Sequence, residues 1–274
     1  MGKFDGVLLV SDFDDTLYGT SHTVSAETLS ALAHFRREGG RFTVATGRAY
    51  PTFTPQIEKN GLVLSAPAIL SNGASIFDYA QGKFLRQTTL RPEAAGDLAA
   101  FSQAMPQVGL ELYHGEEIYV VHPNSVTLAH LEKVGTPWRE AATVADVPGP
   151  YGKVILEGEH PALEQAQEYF LARWGEYYEA FFSNPVLLDI TAKGATKGGM
   201  VAWLRDWLGL RPQDVYCVGD SSNDLSMLQV AQVGYAPANC TPDLRDFGAV
   251  ILPDCDHEPI PALLADLEKR YSAK

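Results

Sequence analysis

Residues 6–17 read Gly-Val-Leu-Leu-Val-Ser-Asp-Phe-Asp-Asp-Thr-Leu, and the fold is decided there. Residues 6–13 form an apolar run that ends in acid. A run with no polar alternation fits a strand buried on both faces, as in a parallel sheet. Asp12 and Asp14 are two residues apart at the end of that strand, so they point to the same side. Open α/β sheets place their ligands just beyond such strand ends. Two carboxylates this close repel, and both stay ionised only with a cation between them. An oxygen-rich site suits magnesium, which takes few protein carboxylates and keeps several waters.

Working outward, strands and helices alternate. Ser25 is the expected N-cap of a helix whose apolar face is Leu29, Leu32, Ala33 and Phe35, stopped by Gly39-Gly40. Strands are expected at residues 41–45 and 68–70, each breaking into a turn: Thr46-Gly47-Arg48 and Ser71-Asn72-Gly73. The pattern resumes with a helix over 198–208, a strand over 214–218, a helix over 223–232, and strands over 233–236 and 249–252. Such alternation implies a mostly parallel sheet covered on both faces. Between these halves the chain reads differently. Strands are expected at 110–113, 118–121, 152–157 and 186–191, with helices over 92–104, 125–134 and 161–174. The expected architecture is an α/β, Rossmann-like core built from residues 1–81 and 187–274, with an inserted α+β cap domain over 82–186.

Three further segments fall just beyond strand ends or at helix starts. In Gly219-Asp220-Ser221-Ser222-Asn223-Asp224, Asp220 would sit at a strand end as a metal ligand. Asn223 and Asp224 would open the next helix, where free backbone N–H groups favour anions. In Thr46-Gly47-Arg48, the hydroxyl and loop N–H groups can hold phosphate oxygens. Lys197 precedes the helical face Met200, Val201, Leu204 and Leu208, and could balance several carboxylates and a phosphate, with Lys193 as a local competitor. Each segment alone also reads as an ordinary capping turn or a solvated lysine. The combination, in this order, is far more specific.

In sequence, order and spacing these four motifs resemble those of the haloacid dehalogenase-like superfamily of aspartate-nucleophile phosphotransferases. Thr46 follows Asp12 by 34 residues, which one helix and one strand consume, whereas 151 residues separate Thr46 from Lys197. A mixed cap in that second interval resembles the type IIB caps of the Cof-like phosphatases, as does the run Ser71-Asn72-Gly73-Ala74. The family pattern usually has Gly after the second aspartate; here it is Asp15.

The resemblance implies that Asp12 is the nucleophile and Asp14 the general acid and base. It implies Mg²⁺ held by Asp12, Asp220 and the Asp14 backbone carbonyl, with Asp224 in support. Thr46, Gly47, Lys197 and Asn223 would cradle the phosphate. The charges agree with this. The four aspartates and a phosphate dianion need both the metal and Lys197 before they can meet. The carboxylate at Asp14 favours a phosphatase over phosphoenzyme-retaining ion pumps, and the magnesium acids disfavour a dehalogenase. The expected substrate is a small phosphorylated metabolite, sugar phosphates foremost. A sugar phosphomutase of the phosphomannomutase type shares the cap class and both aspartates and is the nearest rival. A non-enzymatic receiver protein is the remote one, since its acceptor aspartate lies on a later strand. A P-loop kinase is excluded by the lack of a G-x-x-x-x-G-K-[ST] segment. Specificity would lie in the cap, where Tyr113, His114, Tyr119 and His122 either line the cleft or pack in the cap's own sheet.

Composition sets the outer bounds. The chain has 274 residues, with 34 acids against 21 bases and a formal charge of −13. That balance disfavours nucleic acid and anionic membranes. No apolar run approaches a membrane span or a signal-peptide core. Three cysteines, Cys217, Cys240 and Cys255, without metal-ligand spacing fit structural thiols in a reducing cytoplasm. A cytoplasmic monomer or small homo-oligomer is the expectation.

Overall fold

A computed structural model describes residues 2–272. The central sheet has five parallel strands in the order β14-β13-β12-β1-β2. They are β1 (Leu8–Ser11), β2 (Arg41–Val44), β12 (Val215–Val218), β13 (Val233–Pro237) and β14 (Val250–Leu252). The apolar run around β1 follows from its place between β12 and β2. Leu9 joins the cluster formed with Phe35, Phe42 and Leu263 on one face. Leu8 and Val10 join Met200, Leu204 and Met227 on the other. Helices α1 (Ala26–Arg37) and α9 (Pro259–Ser272) cover the first face, and α6 (Lys197–Trp207) and α7 (Leu225–Val230) the second. Ser25 caps α1 as expected, its hydroxyl accepting from Thr28 N at 3.0 Å.

A three-stranded antiparallel sheet follows: β3 (Ala68–Leu70), β4 (Ser75–Asp78) and β5 (Lys83–Gln87). It is tied to the central sheet by a parallel bridge between Ala45 and Ile69. Leu85 on β5 packs against the central sheet's second cluster. The chain therefore leaves the core only after Gln87, later than the 81/82 boundary read from sequence.

The second large sheet has six strands in the order β10-β11-β9-β6-β7-β8. They are β6 (Gly109–His114), β7 (Glu117–Val121), β8 (Trp138–Glu140), β9 (Lys153–Glu157), β10 (Tyr178–Asn184) and β11 (Leu187–Ala192). Its return boundary also shifts. The expected core start at 187 is corrected by β11, which pairs with β9 and β10 and buries Leu188 and Ile190 in this sheet's own cluster. Leu110, Leu112, Val154 and Leu156 complete that face beneath α3 (Ala94–Ala104) and α5 (His160–Trp174). The two-residue alternation puts Glu111, Tyr113, Lys153, Glu157 and Asp189 on the opposite face, which turns toward the core and α4 (Ser125–Val134). No described helix is long and apolar enough to cross a membrane.

Several elements had no counterpart in the sequence reading. Helix α2 (Tyr50–Asn60) contains Pro51 at its start and Pro55 inside, which disguise it as a loop. Between buried Tyr178 and exposed Asn184, strand β10 is half-buried on both faces, so its alternation is faint.

Candidate active site

Asp12, Thr46 and Asp220 follow β1, β2 and β12 at one end of the central sheet. The Asp12 amide donates to Val218 O at 2.8 Å, so it continues the β1–β12 ladder by one rung. The residue is 6% exposed, and its carboxylate accepts from Lys197 Nζ at 2.5 Å. Lys197 opens α6, which Thr196 caps by accepting from Gly199 N at 3.0 Å. The same ammonium reaches Asp224 Oδ1 at 2.6 Å. Lys193, the competitor, is exposed and pairs with Glu179 at 3.3 Å.

Asp224 shapes the loop as well as its charge. Its Oδ2 accepts from the amides of Asp220 at 3.0 Å and Ser221 at 3.1 Å. Asp220 accepts from Thr16 Oγ1 at 2.9 Å and Ser221 Oγ at 2.7 Å. Ligand oxygens of Asp12, Asp220 and Asp224 lie within 4.8 Å of one another. Burial, then repulsion from Asp224, pushes Asp220 up to about 6. Burial likewise holds Asp12 well above the ordinary carboxylate value, with Asp224 and Asp220 adding to the rise against the pull of Lys197. One lysine therefore leaves the cluster short of positive charge, and these all-oxygen donors fit a hard divalent cation.

Asp14 sits apart from that cluster. Arg48 grips it through Nε at 2.8 Å and Nη2 at 2.7 Å, and Tyr18 donates to it at 2.7 Å. Burial raises its pKa, but the Arg48 hydrogen bonds and charge outweigh that and hold it below the ordinary value. Arg48 was legible only as the third residue of a turn; its partner is 34 residues away and invisible to local reading. Asp15 adopts φ 56°, a left-handed conformation that Asp tolerates and that explains the usual glycine at this position.

Thr46 is fully buried and its Oγ1 accepts from Arg48 N at 3.1 Å. Gly47 and Asn223 line the cleft together with Asp12, Asp14 and Asp220. Asn223 Nδ2 donates to Asn72 Oδ1 at 3.0 Å. The cleft encloses about 530 Å³ between the two sheets. From the six-stranded side it receives Tyr113, His130, Lys153 and Asp189. Lys153 Nζ donates to Gly47 O at 2.9 Å and Asp189 Oδ1 at 3.2 Å, linking the two sheets. Of the four aromatic and histidine candidates only Tyr113 lines the cleft. His114 turns to Pro150 O, Tyr119 to Glu117 and His122 to Ser102. Nothing in a single strand or helix marks Lys153, Asp189 or His130 as cleft residues. A second close group, Glu111, His130 and Glu157, also has metal-ligand chemistry. There the imidazole Nδ1 already bridges both carboxylates, at 3.1 and 2.7 Å.

An acidic cluster with a buried lysine at the strand ends of a parallel sheet, facing a second mixed sheet, defines a haloacid dehalogenase-like hydrolase. A sequence profile of that family matches residues 9–261, and the chain belongs to it. Phosphatase YwpJ of Bacillus subtilis is 26% identical over 91% of this chain and 96% of its own length. The 5-amino-6-(5-phospho-D-ribitylamino)uracil phosphatase YwtE of Bacillus subtilis is 27% identical over 86% of this chain and 88% of its own. Among solved structures, the HAD subclass IIB sugar phosphatase BT4131 has the same fold, with a TM-score of 0.82 at 19% identity, covering 95% of this chain and 98% of that one.

Proposed function

We propose that the chain is a Mg²⁺-dependent phosphatase that hydrolyses small phosphorylated metabolites, sugar phosphates foremost, through an aspartyl-phosphate intermediate. The observation that carries this reading is Asp12, buried and paired to Lys197, with Asp220 and Asp224 beside it and Asp14 at the same cleft. The names of the relatives support the reaction class.

Asp12 and Asp220, backed by Asp224 and the Asp14 main-chain carbonyl, would hold the metal. When bound, it supplies the positive charge that lets a phosphate dianion approach a carboxylate. Lys197 and the Gly47 N–H hold the equatorial oxygens, with Thr46 and Asn223 completing the cradle. The Asp12 carboxylate attacks phosphorus. The ester P–O bond breaks as Asp14 gives its proton to the departing oxygen. Asp14, now a carboxylate, takes a proton from water, whose oxygen attacks the phosphorus. The Asp12–phosphorus linkage breaks and inorganic phosphate leaves. A dianion beside Asp14 raises its pKa, opposing Arg48, and so lets it hold the proton that the first step needs. The six-stranded domain acts as the cap that excludes bulk water and meets the leaving group.

The test is phosphate release from p-nitrophenyl phosphate and a panel of sugar phosphates, with and without Mg²⁺, for wild type and Asp12→Asn. Release that needs Mg²⁺ and vanishes in the variant supports the reading. Interconversion of sugar phosphate isomers with no free phosphate would make the chain a mutase. Release that persists in Asp12→Asn overturns the mechanism.

A further inference from the structure

We propose that Asn72 is a positioning residue of the phosphate subsite, acting through Asn223; the proposal rests on the phosphatase reading above. Asn72 lies in the turn Ser71–Gly73, whose three residues have φ of 52°, 53° and 99°. A non-glycine residue held in that left-handed region is strained, and surrounding contacts must hold it there. Those contacts reach three parts of the site. Ser71 N donates to Arg48 O at 2.9 Å and Asn72 N to Thr46 O at 3.0 Å, fixing the turn to the phosphate loop. A Cβ on Gly73 would lie 2.3 Å from Thr196 O, the cap of the helix that carries Lys197. The Asn72 side chain then reaches Asn223.

That side chain has no access to solvent, and it is absent from the cleft lining that includes Asn223 and Gly47. It therefore acts through its neighbours. Asn72 Oδ1 accepts from Asn223 Nδ2, while Asn72 Nδ2 and Asn223 Oδ1 are buried without partners. Turning both amides over exchanges the roles and preserves one bond between the two side chains. A buried amide with half its hydrogen-bonding capacity unused is costlier than an apolar residue of the same shape. The bond between the two side chains fixes the orientation of each against the other. Fixing the Asn223 amide at the edge of the cleft is the use this geometry offers. Asn72 also limits its other neighbour, since a Cβ on Gly47 would lie 3.2 Å from Asn72 Nδ2. The turn thus holds the phosphate loop, Asn223 and the Lys197 helix in one register.

The experiment is a double-mutant cycle of Asn72→Gly, Asn223→Ala and the double variant. Glycine removes the side chain and suits the left-handed backbone. The readouts are kcat/KM for p-nitrophenyl phosphate, Kd for inorganic phosphate with Mg²⁺, and the thermal midpoint. Asn72→Gly is expected to lower kcat/KM between about 10- and 100-fold, the scale of a small misplacement at a reacting centre. The Kd for phosphate is expected to rise, and the double variant to be no worse than Asn223→Ala alone. Additive losses, or a kcat/KM for Asn72→Gly within about twofold of wild type, overturn the proposal, since independent sites add. Should Asn72→Gly fail to fold, Asn72→Ser, too short to reach Asn223, takes its place in the cycle. Wild-type protein is assayed alongside. Absence of Mg²⁺-dependent release there defeats the phosphatase reading and this proposal with it, whereas wild-type turnover with additive losses defeats this proposal alone.

Discussion

Arg48 and Asp14 form a two-pronged pair, Nε to Oδ2 at 2.8 Å and Nη2 to Oδ1 at 2.7 Å, with Tyr18 donating to the same carboxylate. Planar, bidentate geometry of this kind fixes direction as well as charge. The arginine comes from the loop that also carries Thr46 and Gly47, so the proposed phosphate loop and the proposed proton carrier are mechanically joined.

Arg48→Lys keeps the charge but gives up the fork, and it is not a conservative change at a bidentate site. Asp14 should swing out of line. The expected result is a fall in kcat of about 10- to 100-fold, part of the roughly 100- to 10,000-fold that a well-positioned acid–base group contributes, because Asp14 itself remains. The Kd for inorganic phosphate should barely move. Steady-state kinetics with a phosphate titration checks this; a rise in Kd with kcat intact would make Arg48 a phosphate ligand instead.

Asp12→Asn should abolish turnover without loss of stability. Burial and two neighbouring carboxylates already disfavour the ionised form of Asp12. Removing its charge relieves that repulsion, while Lys197 keeps Asp224 as a partner. Thermal midpoints in a chelator are expected at or above wild type. A midpoint several degrees lower would show that the Lys197 pair outweighs the repulsion.

The sequence disclosed the central sheet and its end residues because both have short-range signatures. A run buried on two faces has no alternation, and Asp12, Asp14, Asp220 and Asp224 each follow a strand closely. What remained hidden depends on distant pairing. Arg48 means little until β2 is laid beside β1. Leu187–Ala192 reads as an ordinary strand, and only its partners assign it to a sheet, which moves the border expected at 187. The polar face of the six-stranded sheet is hidden for the same reason. Glu111, Lys153 and Asp189 come from three strands, and each looks like an isolated charge in an apolar run.

Lys153→Met should loosen the joint between that sheet and the proposed phosphate loop. It removes the 2.9 Å bond to Gly47 O and leaves Asp189, 1% exposed, without its ion partner. Breaking one side of a buried pair costs on the order of 3–5 kcal/mol. KM should rise and the thermal midpoint fall. Adding Asp189→Asn should restore most of the midpoint and none of the KM, which separates the stray charge from the lost joint. Recovery of both would mean that the Gly47 contact is incidental.

His130 makes the protein's stability depend on alkaline pH. Its Nδ1 stands 3.1 Å from Glu111 Oε2 and 2.7 Å from Glu157 Oε1, and both glutamates are fully buried. Burial alone would lower its pKa, but the hydrogen bonds and charges of the two glutamates override that and raise it to about 9. Tyr113 donates to Glu111, and Lys153 adds positive charge nearby. A histidine that holds its proton more tightly when folded stabilises the fold fully below its unfolded pKa of roughly 6.5. That contribution is lost as pH rises through about 9. Wild type should therefore lose thermal midpoint steadily between these two values. His130→Gln keeps a donor but cannot titrate, so it should start lower at neutral pH and lose far less across the same interval. All other groups are the same in both proteins, so the difference between the two curves isolates the imidazolium. Parallel curves would show that His130 is neutral in the fold and that one of the two glutamates carries the shared proton.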